Sequence, residues 1–115
     1  MARYVLMLDL KDDPELIATY RRWHAPGGPP AAVNASIRAS GIREMEIYLL
    51  GVRLVMLIDA EDSFSFAAKA AADAGDPEVQ AWEVLMDRFQ QAAPGAAPGT
   101  KWTVAERIYA LSEQP

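Results

Sequence analysis

Ile42 to Ala60 reads IREMEIYLLGVRLVMLIDA, and this stretch decides the fold. Its first half alternates. Met45, Ile47 and Leu49 fall on one side, and Glu46, Tyr48 and Leu50 on the other, the period of a strand. Gly51 marks a tight turn. From Arg53 to Asp59 the run LVMLI is unbroken by polar residues and reads as a buried strand. The two segments make a hairpin.

Upstream of the hairpin, Gly41 stops a helix running from about Pro30 to Ser40, with Val33 and Ile37 on a weak apolar face. Before it lies APGGPP, Ala25 to Pro30, which no helix can continue through. Before that, DDPELIATYRRWH reads as a helix capped by Asp12 or Asp13. Pro14 is in its first turn and Glu15 near the positive end of its dipole. Leu16, Ile17, Tyr20 and His24 share its stripe. Ala2 to Leu10 is the first strand.

Downstream, Glu61 to Ser65 is an acidic loop, and Phe66 to Ala74 an alanine-rich helix stopped by Gly75. Asp76-Pro77-Glu78 starts another helix by the same capping logic, with Val79, Trp82, Leu85, Met86 and Phe89 at helical spacing. Ala92 to Gly99, AAPGAAPG, is a loop. Lys101 to Leu111 reads as a last strand, with Trp102, Val104, Glu106 and Ile108 on one face.

The order is βαββαβ with each helical unit split, the α+β ferredoxin-like plan, over a single domain of residues 1–115. Helices on one side leave the other sheet face open. A second copy, packed sheet on sheet as a dimeric α+β barrel, is the simplest cover, so a homodimer is expected.

Composition narrows the function. The chain carries a net charge of −5 and has no cysteine. Disulfides, thiolate metal sites and cysteine nucleophiles are excluded, and a cytoplasmic setting fits. No basic stripe favours nucleic acid, and no apolar run is long enough to span a membrane. A neutral small molecule suits the charge better.

His24 is the only histidine, and the side chain whose titration lies nearest neutral pH. As a helix-end residue it can simply answer the carboxyl-end dipole, or it can act as a general acid/base. One histidine among scattered carboxylates makes no metal site. Tyr20 lies on the same helix face, as a core aromatic or as a partner to His24. Trp82 is on an apolar stripe, where it can be core or a flat wall for a sugar ring. Gly27-Gly28 lacks the spacing and the preceding strand of a phosphate loop. Glu46 and Glu106, on strands, need partners such as Arg53 or Arg107 if they face inward.

Several stretches together resemble the L-rhamnose mutarotase family, which includes L-fucose mutarotases. They are YRRWH, SIRASGIREMEIYLLGVRLVMLI, DPEVQAWEVLM and KWTVAERIYAL. The resemblance implies a small dimeric α+β protein that interconverts the anomers of a 6-deoxyhexose without cofactor or metal. By position it implies that His24 is the catalytic acid histidine, Tyr20 a sugar-binding tyrosine and Trp82 the first of a sugar-binding tryptophan pair. Glu83 stands where the second tryptophan belongs. Met45 stands at a strand position often held by a substrate-contacting tyrosine, with Tyr48 the nearest aromatic. APGGPPAAV replaces the family's Trp-Pro-Glu segment after the histidine. The same fold also hosts small dimeric monooxygenases and ligand-binding proteins, which form the alternative expectation.

Overall fold

The computed structural model describes residues 1–115. Its elements run β1 (Ala2–Leu10), α1 (Pro14–Trp23), α2 (Ala31–Ala39), β2 (Ile42–Leu50), β3 (Arg53–Ala60), α3 (Phe66–Ala74), α4 (Pro77–Asp87), β4 (Gln90–Gln91) and β5 (Thr103–Val104). A short 3-10 turn at Leu111–Glu113 closes the chain. The Asp-Pro pairs work as expected. The Asp13 carboxylate accepts from the backbone N–H of Glu15 at 2.9 Å and of Leu16 at 3.2 Å. Asp76 does the same for Glu78 and Val79, so both helices begin with two otherwise orphaned donors satisfied.

The sheet order is β2-β3-β1-β4, with β5 also on β1, and every pairing is antiparallel. That is the strand order of the ferredoxin-like plan. The hairpin holds its register from Glu44 opposite Asp59 to Leu50 opposite Arg53, with an irregularity at Ile42/Glu44. Alternation then sorts the side chains. Leu6, Leu8, Leu10, Leu54, Met56 and Ile58 are buried, and the helices pack on their side. Val5, Met7, Val55 and Leu57 face the other way, half-buried, with no helix over them. Cross-strand ion pairs bound this apolar band, Arg3 to Asp59 at 2.8 Å and Arg53 to Asp9 at 2.9 Å.

Under the helices the core divides in two. One cluster holds Leu6, Ile42, Met56, Ile58, Ala60 and Phe64. The other holds Leu10, Tyr20, Leu54, Met86 and Phe89. Ile47 and Trp102 touch both. A buried polar joint ties the helices together. Asp73 accepts from Ser36 Oγ at 2.7 Å and from Lys69 Nζ at 2.6 Å, and its carbonyl accepts from Gln80 Nε2 at 2.8 Å.

The fourth strand departs from the sequence reading, which placed it over Lys101 to Leu111. Only Thr103–Val104 pairs with β1, followed by one bond from the Ala105 N–H to the Val5 carbonyl at 2.7 Å. β4, which the sequence reading missed, pairs with Asp9 and Leu10 on the same edge. The fourth strand is therefore two collinear pieces separated by the loop through residues 92–102. Past Ala105 the chain leaves the sheet, and Ile108 is 91% exposed. Alternation assigns side chains to faces but supplies neither a partner backbone nor a core to face.

Candidate active site

α1 delivers the site. Tyr20 is buried among Leu10, Leu54, Met86 and Phe89, with Leu16 and Ile17 packed beside it, so the apolar stripe of the helix is seated on the core. The Tyr20 hydroxyl accepts a hydrogen bond from Gln90 Nε2 at 3.4 Å. His24 caps the helix, its N–H shared between the carbonyls of Tyr20 and Arg21 at 3.3 and 3.2 Å. Its Nδ1 lies 2.7 Å from the same Tyr20 carbonyl.

That contact sets the tautomer. A carbonyl only accepts, so Nδ1 must carry the proton, and in the neutral ring the lone pair is on Nε2. No group of the chain hydrogen-bonds Nε2. The imidazole stacks on Tyr20 with centroids 4.1 Å apart and planes at 31°. Trp82 of α4 stands 5.5 Å from it, and Trp23 meets Trp82 edge-on at 5.8 Å. Burial pushes His24 below its ordinary 6.5, against the opposing effect of the Tyr20 carbonyl, which favours the charged ring. Burial likewise pushes the Tyr20 phenol up, against the Gln90 hydrogen bond. At neutral pH the site is thus a neutral base at Nε2 between two aromatic faces.

Of the residues singled out from sequence, the structure brings His24, Tyr20 and Trp82 together. Glu83 is exposed on α4, and its carboxylate accepts from Gln80 Nε2 at 3.3 Å. Met45 faces the helix side of the sheet and packs on the Leu6 cluster. It lines a cavity of about 290 Å³ with residues of α2 and β2 only, Arg38 and Arg43 among them. Tyr48 points to the helix-free face, opposite Val55, and does not join His24, because an odd spacing from Met45 along a strand reverses the face. The chain brings together no group of three histidine, aspartate or glutamate side chains that could hold a metal ion.

A family model described as L-rhamnose mutarotase matches residues 3–111. The chain belongs to the L-rhamnose mutarotase family. It is similar to a protein of Xanthomonas campestris named L-fucose mutarotase, 56% identical over 98% of this chain and 90% of that one. Among solved structures it resembles an L-rhamnose mutarotase from Formosa agariphila, with a TM-score of 0.68 and 14% identity over 96% of this chain and 99% of that one. It also resembles a type-II polyketide cyclase from Streptomyces glaucescens, with a TM-score of 0.62 and 15% identity over 96% of both chains. At such identities these two likenesses speak to the fold alone.

Within this member of the L-rhamnose mutarotase family, sequence reasoning missed Gln90. No motif marks it, and only the pairing of β4 with Leu10 turns its amide toward Tyr20. Trp102, read from sequence as part of the last strand, lies just before β5. The structure sets it where the two core clusters meet.

Proposed function

We propose that His24 is the acid/base group with which this chain, a mutarotase of a 6-deoxyhexose, opens and closes the sugar ring. The observation that carries the reading is the free Nε2 of an imidazole whose Nδ1 is held by the Tyr20 carbonyl. The neutral Nε2 removes the proton of the anomeric hydroxyl. The imidazolium so formed gives a proton to the ring oxygen as the C1–O5 bond breaks and C1 becomes an aldehyde carbon. The aldehyde turns about C1–C2, and the reverse transfers close the ring on its other face. The sequence reading gave His24 the acid half of this cycle. Its lowered basicity supports a resting base that becomes the acid within one turnover.

Tyr20 and Trp82 are the walls in this reading. Trp82 supplies a flat face for the pyranose C–H groups. The Tyr20 hydroxyl accepts from Gln90 and so keeps its own O–H to donate to a sugar hydroxyl. Glu83, exposed next to Trp82 on α4, is the rim residue that sets which sugar is taken, while Met45 lies on the Leu6 cluster, away from the ring. L-Fucose is the favoured substrate over L-rhamnose, supported by the 56% identity to the Xanthomonas protein of that name. A chain without cysteine suits a reducing cytoplasm, and we assign it there.

The working unit in this reading is a homodimer of single-domain chains. The helix-free band of Val5, Met7, Val55 and Leu57 supports it, and so do the large apolar side chains of Tyr48, Leu50, Ile108, Tyr109 and Leu111, which this chain leaves exposed. Saturation transfer between the anomeric protons of L-fucose and of L-rhamnose tests the whole reading. Wild type should accelerate exchange, most strongly for L-fucose, and His24→Ala should lower the rate by roughly 10²–10⁴-fold. A folded His24→Ala variant of full activity would refute it.

A further inference from the structure

Gly27 and Gly28 are neighbours with different reasons to be glycine. Gly27 has φ +78°, and nothing stands within 4 Å of where its Cβ would be. It serves the turn's backbone alone. Gly28 has no positive φ, yet a Cβ there would collide with the Trp23 carbonyl oxygen and stand 2.8 Å from the Arg22 carbonyl oxygen. Both are backbone atoms at the end of α1, directly before His24, and cannot swing aside as a side chain can. The Gly28 N–H donates to the Ala25 carbonyl at 2.8 Å, closing the turn onto the helix end. Pro26, Pro29 and Pro30 stiffen the segment around it.

We infer that Gly28 is a positioning residue for His24: its lack of a side chain lets the Ala25–Pro30 turn lie directly on the last turn of α1 and fix the Trp23–His24 peptide. The turn is a clamp. The inference rests on His24 as the acid/base group, whose ring is aimed from that peptide. A methyl group at position 28 displaces the Trp23 carbonyl by about 1 Å before van der Waals contact is restored. A displacement of that size at a catalytic group costs on the order of 100-fold in rate.

Because His24 is the only histidine, its two ring nitrogens give the only imidazole signals in a ¹⁵N spectrum of the untagged chain. Gly28→Ala should lower kcat by about 10–100-fold with little change in KM. It should also move the His24 nitrogen signals away from the Nδ1–H form. Gly95→Ala, at a positive-φ glycine with open space around it and outside the turn, should lower Tm yet keep the wild-type kcat and spectrum. A Gly28→Ala chain with wild-type His24 signals and titration would overturn the inference. Changed signals with unchanged kcat would keep Gly28 as the positioning residue and remove His24 from catalysis. If Gly28→Ala does not fold, amide exchange in the wild type decides. A protected Gly28 N–H supports the clamp, and exchange at the rate of an open loop overturns it.

Discussion

Around Tyr4, Phe64 and Phe66, three rings pack with centroids 4.9 to 5.8 Å apart. Around Tyr20, His24, Trp82 and Trp23, four rings pack at 4.1 to 5.8 Å. Spacing does not separate the two groups. The first group closes on itself at the Leu6 end of the core. The second is built at a helix terminus, where a backbone carbonyl that shares the His24 N–H also takes one imidazole nitrogen and leaves the other free. An aromatic cluster gains chemistry when one ring carries a lone pair that its neighbours cannot satisfy.

Paired substitutions break the comparison most sharply. Phe64→Ala, in the first cluster, should cost about 3–5 kcal/mol of stability. Denaturant unfolding reads that loss, while activity per folded molecule is kept. His24→Ala, in the second, should do the reverse, with the rate loss given above and a denaturation midpoint near wild type. If Phe64→Ala lowers turnover as strongly as stability, the two clusters are not independent.

Tyr20→Phe is a finer cut. It removes one hydroxyl and leaves the ring under His24. KM should rise about tenfold, the worth of one hydrogen bond, with kcat nearly retained in steady-state assays. A fall in kcat alone would instead make the hydroxyl part of proton transfer.

The smallest effect is in pH. The folded His24 pKa lies below its unfolded value because burial disfavours the charged ring. Between those two values the unfolded chain binds more protons than the folded one, so stability is full above about 6.5 and declines as pH falls toward the folded pKa. Urea titrations of wild type and His24→Gln across that window should show the slope only in wild type. The acid limb of the rate profile should likewise lie below 6.5. A limb above that value would mean a charged neighbour that the structure does not contain.

The hairpin, the Asp-Pro helix starts and the Tyr20/His24 face were legible in the sequence because local geometry decides each of them. Carboxylates cap whatever follows them, and residues one helical turn apart share a face wherever the helix packs. Gln90 was not legible, since its contact with Tyr20 depends on pairing across most of the chain. The end of the fourth strand failed for a related reason. Ile108 has the right parity for a strand, but past Ala105 no β1 carbonyl or amide bonds to it. Tyr48, put forward from sequence as the nearest aromatic to Met45, does not join His24, and the alternation that sets it on the other face could already be counted in the sequence.

The split fourth strand has a practical consequence. Gln91 pairs with Asp9 and Thr103 with Met7, so β1 advances past Leu8 alone while its neighbour spends residues 92–102. The register of the sheet does not record how long that excursion is. Doubling its length costs only about 0.6 kcal/mol in closure entropy. The interval after Gly95 is therefore a natural port, where an affinity tag or fluorescent reporter can be spliced in on the edge away from β2.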